Sequence, residues 1–108
     1  MSELAVIFGL EGPKLTAKEK AFFRDTNPWA FILFARNVET PEQVSKLSRE
    51  LRDCVSRDCL IFIDQEGGRV QRLRPPHWPN YPSGAELVGG HNSRRAARRA
   101  VYLHHRLI

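Results

Sequence analysis

The residue types best suited to chemistry gather in one stretch of this 108-residue chain, Asp64-Gln65-Glu66-Gly67-Gly68-Arg69-Val70-Gln71-Arg72. A carboxylate accepts hydrogen bonds from hydroxyls, and a guanidinium offers several directed donors. Arg69 and Arg72 can hold anionic or polar groups bidentately. The paired glycines let the backbone turn sharply, or approach a ligand, where a side chain would collide. The set therefore suits a polar small molecule. A second reading is a tight turn in which Asp64 pairs internally with an arginine and Glu66 is solvated. Spacing alone leaves both open.

Other reactive side chains are scattered. Cys54 and Cys59 are five apart, which is neither the C-x2-C spacing of a zinc knuckle nor that of a redox pair. Both read as reduced, buried small hydrophobes. His77 lies among prolines, His91 follows Gly89-Gly90, and His104-His105 are adjacent on a helical pattern. None has ligand spacing with a nearby acid, so no metal or cofactor is expected. Trp78 and Tyr81 could edge a ligand site by stacking, but loop packing is the simpler role.

The elements that must position Asp64 are strongly patterned. Residues 4–10 (LAVIFGL) read as a strand closed by Gly12-Pro13. Thr16 with Glu19 forms a capping box that opens a helix, and Asn27-Pro28 breaks it. Residues 29–34 (WAFILF) are apolar on both faces, as a doubly covered strand requires. Thr40-Pro41, with Gln43 at the box position, starts a second helix whose inner stripe is Val44, Leu47, Leu51 and Val55. Residues 59–63 (CLIFI) form a third strand that stops at Asp64.

This order of strand, helix, strand, helix, strand predicts an α/β fold with parallel strands and helical crossovers. Ligands of such folds bind at the carboxyl ends of strands, where Asp64 falls. Residues 64–92 then read as one long irregular site loop rich in Gly and Pro, a length that is usually functional or disordered. Ser93 caps a last helix with Ala96, Ala100, Leu103 and Leu107 on one stripe. A (β/α)8 TIM-type barrel needs ~200–250 residues or more, so residues 1–108 are expected to be a single incomplete domain, its N-terminal third.

Three segments carry a family resemblance. The stretch IDQEGGRVQR, the upstream FILFARNVETPEQV and the opening Gly12, Pro13, Leu15, Thr16 and Glu19 together resemble the N-terminal barrel of glycoside hydrolase family 3. The likeness is nearest to the bacterial β-N-acetylglucosaminidases of cell-wall recycling. It spans about residues 5–108 and weakens after Arg74. The resemblance implies a retaining hydrolase that releases terminal β-linked N-acetylglucosamine from peptidoglycan-derived fragments. It implies substrate-binding roles for Asp64 and Arg72, and loop-supporting roles for Glu66 and Arg69. Retaining hydrolysis needs two carboxyl-type groups on opposite sides of the bond, or their equivalents. The family's nucleophilic aspartate and its acid/base histidine match no residue here. No catalytic residue is assigned, and the fragment alone is expected to be inactive.

Charge narrows the alternatives. The net +5 resides in residues 91–108, which hold five of the seventeen Lys/Arg and no acid, leaving twelve bases against twelve acids in 1–90. An arginine-rich helix over 93–108 could bind nucleic acid or another anionic partner. It lacks a helix-turn-helix pattern and interleaved aromatics, so no nucleic-acid partner is expected. Gly9-Leu10-Glu11-Gly12-Pro13 misses the G-x-G-x-x-G spacing of a dinucleotide site. No run of 18 apolar residues and no basic leader is present. The expectation is a cytoplasmic monomer acting on a small glycan, with no membrane partner.

Overall fold

The computed structural model describes residues 2–107; the side chain of Leu107, and Ile108, lie outside the described residues. The chain divides into two compact units, one ending at Ile63 and the other starting at Asp64.

The first unit is a parallel three-stranded sheet with two helices. Strands β1 (Leu4–Phe8), β2 (Pro28–Leu33) and β3 (Leu60–Ile63) lie in the order β1-β2-β3. Ile7 is opposite Ala30, Phe8 opposite Phe31, and Ala30 to Leu33 run opposite Leu60 to Ile63. Helix α1 (Ala17–Thr26) links β1 to β2, and α2 (Pro41–Val55) links β2 to β3. This is the predicted α/β order with parallel strands and helical crossovers.

The caps act as the sequence predicts. The Thr16 hydroxyl accepts from the Glu19 amide at 3.1 Å, and the Glu19 carboxylate accepts from the amides of Thr16 and Glu11 at 2.9 and 2.7 Å. Burial alone would push the Glu19 carboxyl up. Its hydrogen bonds from Thr16 and Glu11 outweigh that and hold it below its ordinary range. At α2, the Thr40 hydroxyl accepts from the Gln43 amide at 3.1 Å, with Pro41 at the first helical position. The reciprocal half of the predicted box is absent at α2, because the Gln43 side chain bonds to other backbone groups. It accepts from the Glu39 amide at 2.7 Å and donates to the carbonyls of Pro13 and Asn37 at 2.7 and 2.8 Å.

The core lies between the sheet and the helices: Leu10, Leu15, Phe23, Phe31, Leu33, Leu47, Leu51, Cys54 and Cys59. Phe23 meets Phe31 edge-on at 4.9 Å between ring centroids. The predicted double coverage of β2 is incomplete, since Trp29 is 42% exposed and Ile32 is half-buried. Ala30 and Phe31 are fully buried, but the neighbours of Ala30 across the open face, Ile7 and Leu60, are 46% and 52% exposed.

The second unit is more ordered than a single irregular loop. Strands β4 (Gln65–Gly67) and β5 (Val70–Gln71) form an antiparallel hairpin, followed by helices α3 (Gly84–Gly89) and α4 (Arg94–Leu107). Ser83 caps α3 through a box with Glu86: its hydroxyl accepts from the Glu86 amide at 3.2 Å, and its own amide donates to the Glu86 carboxylate at 2.7 Å. Ser93 caps α4 as predicted, accepting from the Ala96 amide at 3.2 Å. Among the described residues no helix is long and apolar enough to cross a membrane.

Candidate functional site

Asp64 is the next residue after the last residue of β3, and the hairpin that follows fixes its surroundings. Gly67 and Gly68 adopt φ of +87° and +61°, the left-handed region that L side chains avoid. Gly68 is the first central residue of the two-residue turn between β4 and β5, where a tight hairpin demands positive φ. Space is equally restrictive. A Cβ on Gly67 would lie 2.1 Å from the Pro82 carbonyl oxygen, and one on Gly68 would lie 2.9 Å from the Ser83 Cβ. The glycine pair thus lets the hairpin close onto residues 81–83, and the Gly68 amide donates to the Tyr81 carbonyl at 2.9 Å.

Two glutamines hold the result together. Gln65 accepts from the amides of Arg72 and Leu73 at 3.1 and 3.0 Å, and donates to the Leu73 carbonyl at 3.0 Å. Gln71, only 1% exposed, donates to the carbonyls of Leu73 and Pro79 at 2.7 and 2.8 Å and accepts from the Tyr81 amide at 3.0 Å. A buried primary amide supplies two donors and an acceptor, which is the set this crossing of three backbone segments requires. Sequence reasoning missed both residues. The available signal was the recurrence of glutamine at either end of the glycine turn, at positions that pair across the hairpin.

Within this frame the structure brings Asp64 and Arg72 together. The Arg72 guanidinium donates to Asp64 Oδ2 at 3.2 Å, and the Arg72 amide also reaches the Asp64 carbonyl at 3.3 Å. Their side chains are 38% and 26% exposed, so both remain open to a ligand. An ion pair this exposed contributes only ~0–1 kcal/mol to stability. Its value lies in orientation, since a carboxylate and a guanidinium side by side present adjacent acceptor and donor groups. Glu66, in the middle of β4, and Arg69, on the turn, are exposed. The Arg69 and Gly68 carbonyls accept from the Arg74 guanidinium at 3.1 and 3.3 Å.

The other predicted positions form no second site. Trp78 packs edge-on to His77 at 5.8 Å, and Tyr81 packs edge-on to His104 at 5.5 Å. Cys54 and Cys59 are free and buried, and burial pushes both thiols up, the behaviour of small core hydrophobes. Among the described residues, no three His, Cys, Asp or Glu side chains are grouped as metal ligands.

No protein-family model matches the chain. Individual proteins do. A β-hexosaminidase from Methylococcus capsulatus is 40% identical over 98 residues, which is 90% of this chain and 29% of that protein. A β-hexosaminidase from Pseudomonas aeruginosa is 41% identical over 70 residues, or 65% of this chain and 21% of that protein. The fold is similar to that of NagZ from Neisseria gonorrhoeae, solved in complex with N-trifluoroacetyl-D-glucosamine, with a TM-score of 0.77 and 28% identity over 91% of this chain and 28% of that one. A glycoside hydrolase family 3 β-N-acetylglucosaminidase from a Paenibacillus species gives 0.72 and 29% identity, covering 89% of this chain and 19% of its own. The chain therefore spans less than a third of the length of these relatives.

Proposed function

We propose that this chain, similar to β-hexosaminidases at about 40% identity and in fold to a glycoside hydrolase family 3 β-N-acetylglucosaminidase, supplies the sugar-binding part of a β-N-acetylhexosaminidase of that family. The observation that carries the proposal is the half-exposed Asp64–Arg72 pair, held by a glutamine-stapled hairpin on the residue after a parallel strand. In this reading Asp64 accepts hydrogen bonds from vicinal hydroxyls of a terminal N-acetylglucosamine. Arg72 orients that carboxylate and donates to a neighbouring oxygen of the same sugar. Glu66 and Arg69 support the turn.

We read residues 1–108 as part of one (β/α)8 barrel domain, with 64–92 as its site segment. The substrates are N-acetylglucosamine-capped fragments of peptidoglycan, the compartment is the cytoplasm, and the whole enzyme acts as a monomer. None of the 108 residues is assigned as nucleophile or acid/base. The role of this part is to bind and orient, which by itself makes no covalent intermediate.

The test is titration of the chain with N-acetylglucosamine, followed by amide chemical shifts. Shifts should concentrate on residues 64–74, and Asp64→Ala or Arg72→Gln should abolish them while Glu66→Gln leaves them intact. Saturable shifts that survive Asp64→Ala, or that fall elsewhere, would remove the assignment.

A further inference from the structure

The net charge of this protein is segregated in a way the sugar site does not use. Residues 1–63 carry nine basic and nine acidic side chains. Residues 64–108 carry eight arginines against Asp64, Glu66 and Glu86. Five of the eight lie on α4: Arg94, Arg95, Arg98, Arg99 and Arg106. With 3.6 residues per turn, all five fall within an arc of about 140° around the helix, and each is exposed. Ala96, Ala97, Ala100 and His104 occupy the other side and are half-buried.

Among the described residues no carboxylate lies within ion-pair distance of an α4 arginine. The first turn has no acid and two arginines, the reverse of what the helix dipole favours. Arg94 with Arg98 and Arg95 with Arg99 are like charges at i, i+4, each pair costing ~0.2–0.5 kcal/mol in an isolated helix. A bound polyanion would offset both penalties.

One aromatic residue selects among polyanions. Tyr102 falls in the middle of the arginine arc, is 61% exposed, and has the Arg106 guanidinium 5.9 Å from its ring centroid. Helical spacing thus supplies the interleaved aromatic that the linear sequence lacks. A cationic surface with a stacking platform is the arrangement that takes single-stranded nucleic acid. A bilayer fits less well. The exposed apolar residues that border the arc, Val101 and Leu103, lie on its two opposite edges, about 160° apart, and do not form one insertable face; the side away from the arginines is alanine-rich and half-buried, with α3 packed along the helix.

We propose that α4 is a binding surface for single-stranded nucleic acid, with the five arginines on successive phosphates and Tyr102 stacked on a base.

The probe is a fluorescein-labelled 20-mer of deoxythymidine, titrated with the whole chain and followed by anisotropy. With about five phosphates engaged, the slope of log K against log salt should be about −3.5, which weakens binding ~100-fold between 50 and 200 mM salt. The variant R94Q/R95Q/R98Q/R99Q, checked for helix content by circular dichroism, should show a slope shallower than about −1. Tyr102→Ala should cost about fivefold or more with the slope unchanged. Absence of binding at 50 mM salt overturns the proposal, as does an unchanged slope in the arginine variant. Affinity unchanged in Tyr102→Ala, or displacement of the oligonucleotide by phosphatidylserine vesicles at matched charge, overturns it in favour of a nonselective anionic surface. The wild-type slope stands as a test even where a variant fails to fold.

Discussion

Replacing Gln71 by methionine isolates what a single buried amide contributes to the candidate site. Methionine nearly conserves volume, so the perturbation is the loss of three hydrogen bonds rather than a cavity. The Leu73 carbonyl keeps its bond from Gln65, but the Pro79 carbonyl and the Tyr81 amide lose the partner that Gln71 gives them. A buried polar group left unpaired costs about 1–3 kcal/mol, which puts the two together at roughly 2–6 kcal/mol. The variant no longer desolvates an amide, which returns about 1–2 kcal/mol. The midpoints of these ranges leave an expected net loss of about 2.5 kcal/mol. It should be local, because every bond that Gln71 makes lies within residues 64–108.

Native-state hydrogen exchange reads this directly. The Gly68 and Arg72 amides, bonded to Tyr81 and Gln65, should lose protection by about 60-fold, since each 1.4 kcal/mol is a factor of ten. Amides of β2 paired with β3 should change by less than threefold. Protection of Gly68 and Arg72 that stays within threefold would refute the reasoning, since it would mean that the hairpin does not depend on the Gln71 staple. An equal loss in the sheet would refute the claim of locality.

Two further outcomes follow from particular positions. Gly67→Ala should destabilise residues 64–83 by roughly 3 kcal/mol or more, from left-handed strain plus the clash with Pro82; Gly12→Ala, where a Cβ meets nothing within 4 Å, is the control and should be near neutral by urea denaturation. For Cys54 and Cys59, burial favours the neutral thiol in the folded state, so their contribution to stability is complete below the unfolded value of 9.0 and is lost as pH rises beyond it. At pH 8 both should react with a disulfide reagent at least tenfold slower than glutathione and become fully reactive in guanidinium; fast native reaction would contradict the burial account.

The first unit was readable because its signals are local and repeated. Capping boxes lie within four residues, and the stripe Val44, Leu47, Leu51 and Val55 recurs at the helical period. Pro28 opening β2 moved the strand one residue earlier than the apolar run suggested, since the first residue of a strand needs no N–H for the ladder. What resisted reading was tertiary. Asn37 looked like a strand terminator, yet it is fully buried and ties the carbonyls of Leu10 and Gly12, some 25 residues away, to the Phe34 amide. Gln65 and Gln71 act in the same way. A polar side chain bonded to distant backbone leaves no periodic trace in sequence. The hairpin β4–β5 and helix α3 were missed for a different reason, being only two to six residues long, although Ser83 with Glu86 carried a box signal. At Asp64 the residue types pointed to a ligand while spacing equally allowed an internal ion pair. The structure contains that pair in a form still open to solvent.

The two units are held by different physics, and this bears on where binding belongs. The first has a cluster of buried apolar residues, each fully buried Leu or Phe contributing about 1.5–3 kcal/mol. In the second, Gln71 is the only buried residue other than glycine among the described residues, so its order rests on hydrogen bonds worth about 0.5–1.5 kcal/mol net apiece. A segment ordered this way sits at the low end of the stability range, where binding elements are drawn from. Both proposed ligands contact this segment, one at Asp64 and Arg72, the other at α4. Ligand present at a hundred times its Kd adds about 2.7 kcal/mol to the state that binds it. That is comparable to the whole Gln71 staple, so occupancy of either surface is large enough to decide how ordered residues 64–107 are.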